Sequence, residues 1–471
     1  MISSAVCLML LGSCSTTAVP RPVPLSQPGQ RKRWETARYG LFVHHVYGGT
    51  LQGMTPKSGS GGFPANIDQF AESFDVDRFA NAVKDMGFEY VIFTAWHFNM
   101  NVLYPSKRMA KWRDPSHATS KRDLLGEIIA ALRKRGIMAA LYSHTFVGHE
   151  FRPDGLKPYY SYDRKDGVVT DEMRRTGYYP AASAPWGPQP PPPETMRWNN
   201  FINDIYDEMA ARYGSSVEAM YFDGSWVWMV DRQRLFNTIR RHNPNAALIA
   251  NGTTEHGYEY SSNEIGSPEG KDYGFGKDTI GVTNKDARTW PGYRRHVALI
   301  AGANWWAAAP GGPKFNVDDI IRYTILQAAS SAAGGIGWSF GTYADGSFET
   351  GLEDRFRAVW QKLKPIEASI RNVVQSRAYP TPEKTTINSL AVPFVATEDK
   401  SGRRTYLHVL KPGNSQTIEL PTAGASIKFA RASVLGTPGK VSLAPKGNGW
   451  ELKFSGNWDP IDTMIVLEHA R

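Results

Sequence analysis

The stretch 219–251, AMYFDGSWVWMVDRQRLFNTIRRHNPNAALIAN, decides the fold. Ala219 to Asp223 is a short apolar run closed by a carboxylate, and a glycine follows it. Arg234 to Arg241 then carries Leu235, Phe236 and Ile239 at helical spacing, and Ala247 to Asn251 is a second apolar run. Strand, helix and strand joined this way make a βα unit whose two strands run parallel.

The pattern repeats on both sides of this unit. Gly40–His44, Tyr90–Ala95 and Met138–Tyr142 read as strands upstream, with helices over Val76–Met86, Asp123–Arg133 and Trp198–Arg212. Downstream, Thr279–Val282, His296–Ala301 and Gly335–Ser339 read as strands, with helices over Val317–Ala329 and Glu353–Lys362. About eight strands in all favour an α/β fold of the (β/α)8-barrel type over an open doubly wound sheet. From about Arg377 short alternating runs replace the helices: Thr405–Leu410, Thr417–Leu420, Lys440–Leu443, Trp450–Phe454 and Asp462–Glu468. They predict a small antiparallel β-sandwich. The expected division is a barrel over 34–372 and the β domain over 373–471, since 471 residues exceed what one core usually organises.

Residues 1–14 read as a lipoprotein signal peptide and 15–33 as a polar, Pro-rich linker. The apolar run Ile2–Gly12 is shorter than the roughly 20 residues of a membrane span. Leu11-Gly12-Ser13-Cys14 resembles a bacterial lipobox, so export and a lipid on Cys14 that holds the protein to the cell envelope, in the periplasm or at the cell surface, are expected. Cys7 and Cys14 are the chain's two cysteines, which leaves the mature protein no internal disulfide and no thiol chemistry. The net charge of +9 comes from scattered Lys and Arg with no long basic run, so nucleic acid is not an expected partner. No His-Glu-x-x-His, zinc spacing or calcium-loop pattern occurs, and neither a metal nor a cofactor is expected.

In a barrel of this kind the polar residues just past the strand ends converge on one mouth. Those ends supply His44 and His45, Trp96 and His97, Tyr142 and His144, and Asp223 with Trp226. A carboxylate among imidazoles and large aromatic rings suits the binding of a sugar and attack on its anomeric carbon. Glycosidases need a second carboxyl group, and Glu255, Glu259, Glu264 and Glu269 are the candidates. A long insertion over Thr145–Glu194, rich in Tyr and Pro, follows the third strand at its carboxyl end and is placed to shape a substrate site.

Several of these phrases, in order over roughly residues 34–370, resemble the α-L-fucosidase family of retaining glycoside hydrolases. Ala37-Arg38-Tyr39-Gly40-Leu41-Phe42-Val43-His44 is similar to that family's opening strand, whose last His contacts the sugar. Thr94-Ala95-Trp96-His97 stands where the family carries Thr-Ala-Lys-His-His-Asp-Gly-Phe, and Tyr104-Pro105-Ser106-Lys107 and Lys121-Arg122-Asp123-Leu124 also fit. Tyr221-Phe222-Asp223-Gly224 resembles Trp-Phe-Asp-Gly, whose Asp is the nucleophile. The resemblance implies a cofactor-free double displacement with Asp223 as nucleophile. For the acid/base, Glu264 matches best, and Glu255, Glu259 and Glu269 stay open.

Phe98 replaces the family's second His, Asn99 its Asp, and Gly252 follows Asn251 where an Arg is often found. A pocket with fewer donors suits a related sugar as well as fucose. The expected activity is therefore release of a terminal α-L-fucosyl or related sugar from an oligosaccharide or polysaccharide. Two other classes compete: a catalytically silent carbohydrate-binding lipoprotein on a degenerate barrel, and a structural lipoprotein that binds through its β domain.

Overall fold

A computed structural model describes residues 33–47, 64–97, 101–112, 115–145, 193–223, 232–251, 258–265, 294–302, 308, 311–330, 333–382 and 390–470. Eight parallel strands close into a barrel in chain order: β1 (Tyr39–Val43), β2 (Tyr90–Trp96), β3 (Met138–His144), β4 (Ala219–Asp223), β5 (Ala247–Asn251), β6 (Tyr260–Ile265), β7 (Arg294–Ile300) and β8 (Ala333–Ser339). β8 pairs back onto β1, with Leu41 opposite Trp338, and this pairing closes the ring.

The strands are buried on both faces, and their residues sort by alternation into two packed groups. Phe42, Ile92, Ala140, Tyr142, Tyr221, Ile249 and Ala298 fill the inside of the barrel. Leu41, Val43, Val91, Leu141, Phe222, Leu248 and Leu299 point the other way, into the layer beneath the helices. Successive side chains of a strand point to opposite faces, so in an unbroken strand one position fixes which residue beyond it enters the mouth.

The outer layer holds α1 (Ile67–Ser73), α2 (Val76–Asp85), α3 (Met109–Trp112), α4 (Pro115–Ala118), α5 (Leu124–Lys134), α6 (Pro193–Tyr213), α7 (Arg232–His242), α8 (Val317–Ala329) and α9 (Leu352–Leu363). α5 shows why such segments are helical. Leu124, Leu125, Ile128, Ile129 and Leu132 form one buried stripe, and burial of each side chain stabilises by roughly 1.5–3 kcal/mol. Asp123 caps its first turn by accepting from Gly126 N at 3.0 Å, and Arg133 and Lys134 complement its carboxyl end.

Two antiparallel sheets follow. The five-stranded one has the order β13 (Phe429–Leu435), β16 (Thr463–His469), β11 (Arg404–Val409), β10 (Phe394–Asp399) and β9 (Val373–Gln375). The three-stranded one has the order β12 (Thr417–Leu420), β15 (Gly449–Ser455) and β14 (Lys440–Lys446). Leu407, Leu420, Leu452 and Ile465 pack between them as a sandwich core. The opposite face of the larger sheet carries Tyr406, Met464 and Val466 into the main core, where α8 packs on β9 and β10.

The sixth barrel strand corrects the sequence reading. It is Tyr260–Ile265, a segment with too few apolar residues to register as a strand, whereas Thr279–Val282 lies outside the described residues. Ser262 is tolerated inside the barrel because Tyr221 Oη donates to its Oγ at 2.9 Å and His296 Nδ1 lies 3.1 Å from it. β9, β10 and β13 are likewise strands that the pattern did not mark.

Candidate active site

Asp223 ends β4, and alternation from Tyr221 turns its side chain into the mouth. The hydroxyl of Tyr142 donates to Oδ2 at 2.7 Å, Asn251 Nδ2 donates to Oδ1 at 3.0 Å, and His144 Nε2 lies 3.4 Å from Oδ2. Its main-chain oxygen accepts from Thr145 N at 2.9 Å and from Thr145 Oγ1 at 2.8 Å, which ties the end of β4 to the end of β3. The carboxylate is thus held on both oxygens while its side chain stays 16% exposed. A group so fixed but still reachable is oriented for attack on a bound electrophile.

Three imidazoles complete the surroundings. The His44 ring lies 4.7 Å from that of Tyr142 and 5.2 Å from that of His97, and the His97 ring is 5.0 Å from that of His144. Burial pushes the His44 imidazolium pKa down to about 3 against the attraction of the nearby Asp223 carboxylate, and His144 adds to the lowering. At neutral pH His44 is therefore an uncharged imidazole, which can offer a hydroxyl both a donor and an acceptor nitrogen. Among the described residues no group of three or more His, Cys, Asp or Glu side chains is placed to hold a metal ion.

Two expected contacts are corrected. His45 follows His44 and so faces outward, where its ring stacks on Phe70 at 4.4 Å and Nδ1 lies 2.9 Å from Thr342 Oγ1. Trp96 faces outward too, stacked on Phe201 at 5.7 Å and edge-on to Tyr206 at 5.2 Å. Alternation from Tyr90 would have put Trp96 inside. The register between β2 and β3 shifts between Thr94 and Trp96, however, and that irregularity turns Trp96 out and brings His97 in.

Glu259 is also excluded as the acid/base. It is 1% exposed at the amino end of β6, where it accepts from Leu248 N at 2.7 Å and pairs with Arg240. Asp223 lies at the other end of the barrel. Glu264 stands in β6 with its Cα in register with Ala298, and its side chain is outside the described residues, as are Trp226, Glu255, Glu269 and Cys14. Asn251 is the residue at the mouth that sequence reasoning missed. Its signal was present, since Ile249 faces inward and the residue two further on must do the same.

The fold and this mouth define a class: (β/α)8 barrels that carry their reactive groups at strand ends. Within that class, the model of the alpha-L-fucosidase family matches residues 31–274, more than half of the 471. The chain belongs to the alpha-L-fucosidase family, a family of glycoside hydrolases. It is similar to the tissue alpha-L-fucosidase of Rattus norvegicus, 31% identical over 110 residues, which are 23% of this chain and 22% of the rat protein. Its fold is that of an alpha-L-fucosidase of Bacteroides thetaiotaomicron, with TM-score 0.65 and 17% identity over 96% of this chain and 97% of that one. A second structure from that organism, described as a trapped covalent intermediate with a 2-fluoro-fucosyl fluoride, matches with TM-score 0.64 and 17% identity over 96% of this chain and 98% of that one.

Proposed function

We propose that this chain is a retaining exo-glycosidase that releases a terminal α-L-fucosyl or closely related sugar from a glycan. The observation that carries the reading is Asp223, oriented on both oxygens by Tyr142 and Asn251 at the barrel mouth beside His44, His97 and His144. In the first step its carboxylate bonds to the anomeric carbon, the glycosidic C–O bond breaks, and a carboxylic acid, for which Glu264 is the candidate, gives its proton to the leaving oxygen. In the second, that group takes a proton from water, the water oxygen attacks the anomeric carbon, and Asp223 leaves. Family membership and the covalent fucosyl intermediate described for a structural relative support both steps.

The test is a screen of aryl α- and β-glycosides, the α-L-fucoside included, with the wild type and Asp223→Ala, reading the first-formed anomer by NMR. Retained configuration, and turnover lost with the substitution, is the expected result. Turnover that survives Asp223→Ala, or an inverted first product, would overturn the proposal. The same reading puts the protein on the cell envelope through a lipid on Cys14. Incorporation of labelled palmitate that Cys14→Ser leaves unchanged would remove that part.

A further inference from the structure

At the amino end of the barrel, opposite the mouth, a cleft of about 720 Å³ lies between the strand starts and the turn that joins β10 to β11. This is within the roughly 300–1,000 Å³ of small-ligand sites. Six cations line it: Arg33, Lys84, Arg135, Lys364, Arg371 and Lys400. Among the described residues the acids in the lining are Asp85 and Glu89. Glu89 is turned to the main chain, accepting from Arg38 N at 2.9 Å and Tyr39 N at 3.0 Å, and Asp85 lies 3.8 Å from Arg357.

The three arginines are anchored. Arg33 and Arg135 reach Glu218 at 3.5 Å and Asp77 at 2.7 Å, and Arg371 lies 3.5 Å from Glu367. The Arg371 guanidinium also sits 4.2 Å above the Trp360 ring and donates to Gly87 O. Gly87 has a φ of +76°, and a Cβ there would fall 2.0 Å from Trp360, so the close approach of this turn to the ring requires glycine. The cleft thus has a rigid floor of arginine over tryptophan, with Lys84, Lys364 and Lys400 exposed around it.

We propose that this cleft is a second, non-catalytic carbohydrate site that holds a saccharide bearing sulfate or carboxylate groups. The positive lining selects the anion, and the half-buried Trp360 supplies apolar surface for a sugar ring. A concave site favours a discrete anionic sugar over the flat surface of a membrane. The sugar class rests on the glycosidase reading above, while the anion preference rests on the lining alone. Since the cleft and the mouth are at opposite ends of the barrel, one glycan chain could be held at the first while the end of another is trimmed at the second.

The test is calorimetric titration of the full chain with sulfated and unsulfated dextran oligosaccharides of one length, at low and physiological salt. The comparison is between the wild type, a variant carrying Lys84→Glu, Lys364→Glu and Lys400→Glu, and a control carrying Lys428→Glu, Lys440→Glu and Lys453→Glu on the β domain. Salt-sensitive binding of the sulfated sugar, weakened by about tenfold or more in the first variant and unchanged in the control, is expected. Equal binding by both variants, or equal binding of the unsulfated sugar, would overturn the site. Binding of phosphatidylglycerol vesicles with no binding of the sulfated sugar would overturn the ligand class. Hydrolysis of an aryl glycoside by the first variant should match the wild type, so failure of the cleft and failure of the active site are read separately.

Discussion

The hydroxyl of Tyr142 donates to Oδ2 of Asp223 across 2.7 Å, from the neighbouring barrel strand. Oδ1 is held separately by Asn251, so the two oxygens are addressed from opposite sides and the plane of the carboxylate is fixed.

Tyr142→Phe keeps the ring and removes the donor. A hydrogen bond to a charged group contributes about 1.5–3 kcal/mol, so kcat/KM for an aryl glycoside should fall roughly tenfold to a hundredfold with little change in melting temperature. Unchanged steady-state kinetics would mean that the pair has no part in turnover.

His44 and His45 are adjacent in sequence and opposite in effect. His44→Ala should lower kcat/KM by at least about tenfold, because an imidazole inside the barrel is lost. His45→Gln should leave kcat/KM within about twofold and lower the urea midpoint, because what it disturbs is the contact with Phe70 and Thr342. The reverse outcome would exchange their assignments.

Two glutamates in or beside β6 separate stability from chemistry. Glu259→Gln breaks a buried ion pair with Arg240 and should cost about 3 kcal/mol in urea unfolding while kcat is kept. Glu264→Ala should lower kcat by about 10²-fold or more on substrates with poor leaving groups, and much less on activated aryl glycosides. Equal kinetics for both leaving-group classes would send the search for the acid to Glu255 and Glu269.

Stability should fall on mild acidification. Burial brings His44, His45 and His296 down to about 3 in the folded protein, whereas an exposed histidine titrates near 6.5. Below about pH 6.5 the unfolded chain takes up protons that the folded one refuses, so stability is full above that pH and declines between roughly 6.5 and 3. Each histidine contributes at most about 1.4 kcal/mol per pH unit in that window. Urea midpoints at pH 7, 6 and 5 check this, and a flat series would contradict the neutral buried imidazoles.

The barrel was legible because its strands are apolar on both faces and end in polar residues, and Asp223, His44, Tyr142 and His144 followed from those ends. β6 was not, since Tyr260-Ser261-Ser262-Asn263-Glu264 has polar residues where a strand should be apolar, and Ser262 is accommodated only by partners on β4 and β7. Trp96 was misplaced for a related reason. A one-residue slip between paired strands leaves no compositional trace, yet it reverses which side chain faces in. His45 shows the limit of reading strand ends without counting alternation.

The irregularity between Thr94 and Trp96 gives the protein an inexpensive route to new selectivity. Unbroken alternation from Tyr90 at the present length would send the imidazole toward α6 and the indole toward the sugar, whereas deleting Ala95 would straighten the strand and leave both where they are. Relatives that keep this length but lose the irregularity should therefore diverge in the glycans they accept, even where the residues of β2 are identical.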